Sequence, residues 1–167
     1  MQCDMGAIDD TLGSAERYAE AFGESDLPAP PARRLAVVTC MDARIDPYRL
    51  LGLSLGDAHV IRNAGGIVTD DVIRSITISQ RKLGTEEVAV IQHTRCGMCG
   101  LDDGAFAAEI EADAGERPGW DPGGFGDLDE SVRESVRRVR ESPFVPRTDA
   151  VRGLVYDVDT ARLREVA

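Results

Sequence analysis

A chain of 167 residues with 43% hydrophobic content is long enough for one compact domain, taken here as 1–167. Its formal net charge of −11 sets the surface against phosphate backbones, so no nucleic-acid partner is expected. The longest apolar runs, such as Leu35-Ala36-Val37-Val38, are strand-sized, and residues 1–10 carry neither the basic nor the apolar part of a secretory leader. A cytoplasmic protein without membrane association is therefore expected.

Ile8, Leu12, Ala15, Ala19 and Phe22 recur at alternating steps of four and three, which is one face of a helix. Gly23 and the stiff Pro28-Ala29-Pro30-Pro31 stretch end it. Residues 1–31 thus read as a helical arm and linker with little core of its own, expected to pack on a partner subunit.

Residues 32–167 read as an α/β core. Strand-like runs fall at 35–39, 58–62, 88–92 and 153–158, the first and third short and mostly apolar, as in strands covered on both faces. Helical periodicity covers 70–83, 101–112 and 128–140; the last places Leu128, Val132, Val136 and Val139 on one stripe before Pro143. Residues 115–127, rich in Gly, Pro and Asp around Trp120, read as a surface loop. Strands alternating with helices predict a mainly parallel central sheet flanked by helices.

The chemistry-bearing residues cluster just past two strand ends. Cys40 follows the first run and opens Cys40-Met41-Asp42-Ala43-Arg44; the third run leads into His93-Thr94-Arg95-Cys96-Gly97. Open α/β sheets bind ligands outside the carboxyl ends of strands, where strand order reverses. If the two strands are neighbours, Cys40, His93 and Cys96 converge. Two thiolates and an imidazole suit tetrahedral Zn2+ and leave its fourth position free, which points to chemistry on a zinc-bound water. Arg44 can hold Asp42 bidentately, so that Asp42 accepts a proton beside the metal. Released from Arg44, the same carboxylate could become a fourth ligand and close the site. Cys96-Gly97-Met98-Cys99 is also a C-x-x-C, which leaves a dithiol reading open. His59 reads as structural. Arg62-Asn63-Ala64-Gly65-Gly66 ends the second strand with residues that tolerate positive φ, expected either as a turn or as backbone brought close to a small substrate at Gly65 and Gly66.

These three ordered motifs together resemble the β-class carbonic anhydrases, most closely their short prokaryotic branch. The resemblance covers roughly residues 32–166. It implies zinc on Cys40, His93 and Cys96, an Asp42–Arg44 dyad beside it, and reversible hydration of carbon dioxide to bicarbonate. It also implies a sheet-centred subunit that dimerises through its N-terminal helix, sometimes into tetramers. Arg95 and Cys99 stand where many relatives carry other residue types. Hydrolysis of carbonyl sulfide or carbon disulfide, or a silent zinc-binding sensor, are the alternative expectations on the same fold.

Overall fold

Two apolar runs with little polar interruption form the centre of a five-stranded sheet in the computed structural model, which describes residues 6–167. Cys3 lies outside them. In chain order the elements are α1 (Ala7–Ala21), β1 (Leu35–Cys40), α2 (Pro47–Leu51), β2 (Ala58–Asn63), a 3-10 turn (Ala64–Gly66), α3 (Asp70–Leu83), β3 (Glu87–His93), α4 (Asp103–Ala114), α5 (Leu128–Arg140), β4 (Val151–Tyr156) and β5 (Leu163–Glu165). The strand order is β2-β1-β3-β4-β5. The first four strands are parallel and β5 runs antiparallel to β4. This is the α/β architecture expected from the sequence. The order reverses between β1 and β3, which pair in register with Thr39 opposite Ile91.

Burial explains the composition of the strands. Val37, Val38, Val90 and Ile91 are essentially inaccessible, as a strand covered on both faces requires. On one face Val38, Val88, Val90 and Val151 meet Val72 and Ile76 of α3 and Val136 and Val139 of α5. Helix α5 lies so close to β4 that a Cβ at Gly153 would stand 2.6 Å from the Val132 Cγ1. The helix starts follow local chemistry. The side chains of Thr69, Asp102 and Asp127 accept from the backbone N–H of Val72, Ala105 and Glu130.

The structure departs from expectation at element edges. Helix α4 begins at Asp103 because Asp102 is its N-cap. Strand β4 is displaced two residues toward the N-terminus because the Asp157 side chain accepts from the N–H groups of Asp159 and Thr160, closing a turn where the sequence suggested continued strand. Two short elements, α2 and β5, escaped the periodicity. Helix α1 forms where expected but buries no residue, and Ile8, Leu12, Tyr18 and Phe22 are exposed along it. Among the described residues no helix is long and apolar enough to cross a membrane.

Candidate metal centre

Cys40 is the last residue of β1 and His93 the last of β3, so the strand-order reversal brings two distant stretches together. The chain after β3 turns through Thr94 and Arg95, the latter in the left-handed region (φ 54°), and delivers Cys96 to the same place. Donor atoms of Cys40, His93 and Cys96 all lie within 4.8 Å of one another, and all three residues are buried. Ile45 packs with the two cysteines, and Met98, Phe125 and Tyr156 lean against them. Phe125 comes from the 115–127 loop, which returns to the centre through two backbone hydrogen bonds between Phe125 and the Met98–Gly100 segment.

The donor set fits zinc on three counts. The sulfurs of Cys40 and Cys96 are 4.0 Å apart, against the roughly 3.8 Å that two Zn–S bonds of about 2.3 Å subtend at a tetrahedral angle. The ring Nδ1 of His93 lies 2.9 Å from the Thr94 carbonyl, which can only accept, so Nδ1 carries the proton. That leaves Nε2 as the free donor, and it is buried without a hydrogen-bond partner. A buried polar atom left bare is costly, and a metal ion would satisfy it.

The thiols supply the third count. Burial pushes Cys40 up, but the His93 ring and the N–H groups of Asp42 and Gly65 together pull it down to about 7. Burial pushes Cys96 up to about 11, with the Cys40 charge adding to the rise. Burial also pushes the His93 ring down, and Cys40, the Thr94 carbonyl and Asp42 together more than offset that, raising it overall. Two bare thiolates about 4 Å apart would repel by about 4 kcal/mol at an effective dielectric of 20. A cation between them removes that cost and allows both to ionise.

Asp42 and Arg44 stand beside this group. The Arg44 Nε and a terminal nitrogen donate to the two Asp42 oxygens at 2.9 and 2.7 Å, and the Arg44 backbone N–H adds a third bond at 2.9 Å. This fork drives the Asp42 carboxyl far below the usual carboxylate range. Arg44 is steadied in turn by the Arg95 carbonyl at 3.1 Å. The Asp42 Oδ2 is 3.7 Å from the bare Nε2 of His93. The carboxylate is therefore ionised, oriented and adjacent to the three donors.

Other sequence candidates fall into supporting places. Gly65 and Gly66 are both buried; Gly65 lies against the Met98 and Ile67 side chains, and Gly66 against the Cys40 backbone. A Cβ on Gly66 would stand 2.7 Å from the Cys40 nitrogen and 2.9 Å from the Thr39 carbonyl carbon, at a φ of 63° that side chains rarely adopt. His59 bonds Ser79 at 2.7 Å, away from the donors. Arg95 pairs with Asp159. Cys99 is exposed, and the sulfur neighbour of Cys96 is Cys40, which gives the dithiol reading no geometric support. Arg62, which the sequence offered only as part of a motif, donates to the carbonyls of Cys40 and Asp42 at 2.9 and 2.7 Å. Nothing in its local sequence marked that reach, which only the strand register shows.

Comparison with known proteins agrees with this geometry. A family model described as carbonic anhydrase matches residues 35–116. The chain is 49% identical over 162 residues to β-carbonic anhydrase 1 of Mycobacterium tuberculosis, covering 97% of this chain and 99% of that one. It is 35% identical over 182 residues to a carbon disulfide hydrolase of Acidianus sp., covering 95% and 88%. The crystal structure of a carbonic anhydrase from Streptococcus mutans superposes with a TM-score of 0.90 at 43% identity, over 98% of this chain and 99% of that one. A sheet of this order, these donors at its reversal point and relatives matched along nearly their whole length together place the chain in the β-carbonic anhydrase family.

Proposed function

We propose that the protein catalyses the reversible hydration of carbon dioxide to bicarbonate and a proton, with Cys40, His93 and Cys96 holding Zn2+ and no organic cofactor. Zinc in that donor set supplies the Lewis acidity that makes water a nucleophile near neutral pH. The observation that carries the reading is the placement of Asp42: an ionised carboxylate, locked by Arg44, 3.7 Å from the donor atom of His93.

The roles of the chain's own residues follow from that placement. Asp42, staying ionised, would accept a hydrogen bond from the attacking oxygen and so direct its lone pair toward the substrate carbon. Arg44 keeps Asp42 ionised and away from the metal position, because its two-point grip would have to break before the carboxylate could swing inward. Thr94 fixes the His93 tautomer through its carbonyl. Gly65 and Gly66 place backbone at the same edge, where a small linear substrate would lie beside Cys40. Arg95 meets Asp159 at the rim and so is not a free cation waiting for bicarbonate.

Residues 1–31 act as an arm and residues 32–167 as the working core. The exposed apolar stripe of α1 supports an arm that packs on a second copy of the chain, giving a homodimer or homotetramer in the cytoplasm.

A second reading, hydrolysis of carbon disulfide, is favoured by the 35% identical relative that carries that name. Stopped-flow CO2 hydration and sulfide release from carbon disulfide, run in parallel on zinc-quantified protein, separate the two. Turnover of CO2 in proportion to zinc is expected. Sulfide release without CO2 turnover would replace the first reading by the second.

A further inference from the structure

We propose that Arg62 is a positioning residue that sets the place of the Asp42–Arg44 dyad by clamping the backbone on both sides of Met41. The inference rests on the proposed hydration at this centre and assigns a residue that the donor set and the dyad do not include. The segment leaving β1 has little packing at its turn: Met41 is 66% exposed, and the next buried side chain is Ile45. Its position is set by hydrogen bonds. Arg62 Nε donates to the Cys40 carbonyl at 2.9 Å and a terminal nitrogen donates to the Asp42 carbonyl at 2.7 Å. Met41 N–H donates in turn to the Asn63 carbonyl at 2.8 Å. Residues 62 and 63 of β2 therefore hold residues 40, 41 and 42 at three consecutive backbone groups.

The geometry of the guanidinium matters. Its planar fork spans two carbonyls two residues apart, one belonging to a metal-ligand candidate and one to the dyad carboxylate. A lysine in its place has a single point of charge and satisfies one carbonyl at a time. Strand pairing explains why the side chain reaches: Arg62 sits opposite Thr39 on the neighbouring strand, one register step before Cys40. Cys40 is held independently by its burial and by the Gly66 turn packed against its backbone nitrogen. Loss of Arg62 thus releases Asp42 more than it releases Cys40, and turnover suffers while metal binding does not.

The test uses the full chain, zinc-loaded and separately cobalt-loaded, as wild type, Arg62→Lys and Arg62→Met. One zinc per chain is expected in all three. In Arg62→Met kcat for CO2 hydration should fall about tenfold, the scale of a dyad displaced by a fraction of an ångström. Arg62→Lys should recover part of it, with KM little changed in both. The visible spectrum of the cobalt form should differ between wild type and Arg62→Met, because a freed Asp42 alters the fourth ligand position. Wild-type kcat and an unchanged cobalt spectrum in Arg62→Met would overturn the proposal, as would loss of metal in step with loss of activity. A wild-type protein that binds zinc but hydrates no CO2 would defeat the functional reading instead. The cobalt spectra would then decide the role of Arg62 alone.

Discussion

Two chain segments deliver the metal centre, and they are held in opposite ways. The exit from β1, residues 40–45, is fixed by backbone groups and one guanidinium: Arg62 on two carbonyls, Asn63 on the Met41 N–H, and Gly66 pressed against Cys40. The exit from β3, residues 93–96, is fixed by the β4–β5 connector. Thr94 N–H donates to the Tyr156 carbonyl, Val158 N–H donates to the Thr94 hydroxyl, and Arg95 pairs with Asp159. The first exit carries the dyad and tolerates little. The second carries His93 and Cys96 through a turn braced by half-buried backbone and hydroxyl groups and one exposed ion pair. Cys40, His93 and Cys96 are all buried, so the two exits differ in how their backbone is held rather than in how their donors are covered.

Breaking the donor set has the largest effect. Cys40→Ser replaces a soft thiolate with a hydroxyl, and zinc per chain should fall far below one, with CO2 hydration falling with it; elemental analysis of purified protein checks this. Gly66→Ala attacks the same exit from behind. The added methyl meets strand backbone that cannot rotate away, at a φ it disfavours, so a loss of about 3 kcal/mol is expected in urea denaturation. Asp42→Ala should keep zinc and lower kcat about a hundredfold, the scale of a lost preorganised hydrogen bond to a reacting group. Unchanged turnover in that variant would remove the dyad from the account.

The β3 exit should prove more forgiving. Thr94→Val strips the acceptor from the Val158 N–H but keeps the Thr94 carbonyl that fixes His93. About 1 kcal/mol of stability is expected to go, with zinc content and kcat near wild type. A collapse of zinc binding would show that this exit is as tightly constrained as the other.

Acid reaches both regions. Asp129 is held below the ordinary carboxylate range by Arg164, Glu165 by Arg152 and Asp157 by the Asp159 N–H, all around β4 and β5. Each has a lower pKa folded than unfolded, so the unfolded chain takes up more protons as pH falls. The stabilisation is therefore complete above the ordinary carboxylate range and is lost as pH drops through and below it. The carbonyls that Arg62 grips do not titrate, but Asp42 at the β1 exit is itself held far below the carboxylate range by Arg44 and follows the same rule. Urea midpoints measured at neutral pH and near pH 4 should fall together less in Asp129→Asn than in the wild type; equal falls would assign the acid sensitivity elsewhere.

Much of this was legible in the sequence, for reasons that also mark the limits. Strands β1 and β3 announce themselves because burial on both faces removes polar interruption, and their ends carry the cysteine and histidine motifs that the strand-order reversal then brings together. The fold class followed from the same alternation. Helix α2 was hidden by its five residues, although Asp46 before Pro47 is an N-cap followed by a first-turn proline, and Asp46 does accept from Tyr48 and Arg49 N–H groups. Strand β5 was hidden because three residues carry no period. Arg62 was hidden for a different reason: an arginine on an edge strand looks like solvent-facing charge, and only the register with β1 reveals that it reaches the Cys40 and Asp42 carbonyls.

The central claim is that three protein donors grip one zinc and leave a fourth position to a light atom beside Asp42. Zinc K-edge X-ray absorption on the loaded protein tests it most directly. The account expects two sulfurs at about 2.3 Å, one imidazole nitrogen and one further oxygen or nitrogen at about 2.0–2.2 Å. A shell with a third sulfur, which would mean that Cys99 had been recruited, or the absence of stoichiometric zinc would contradict it.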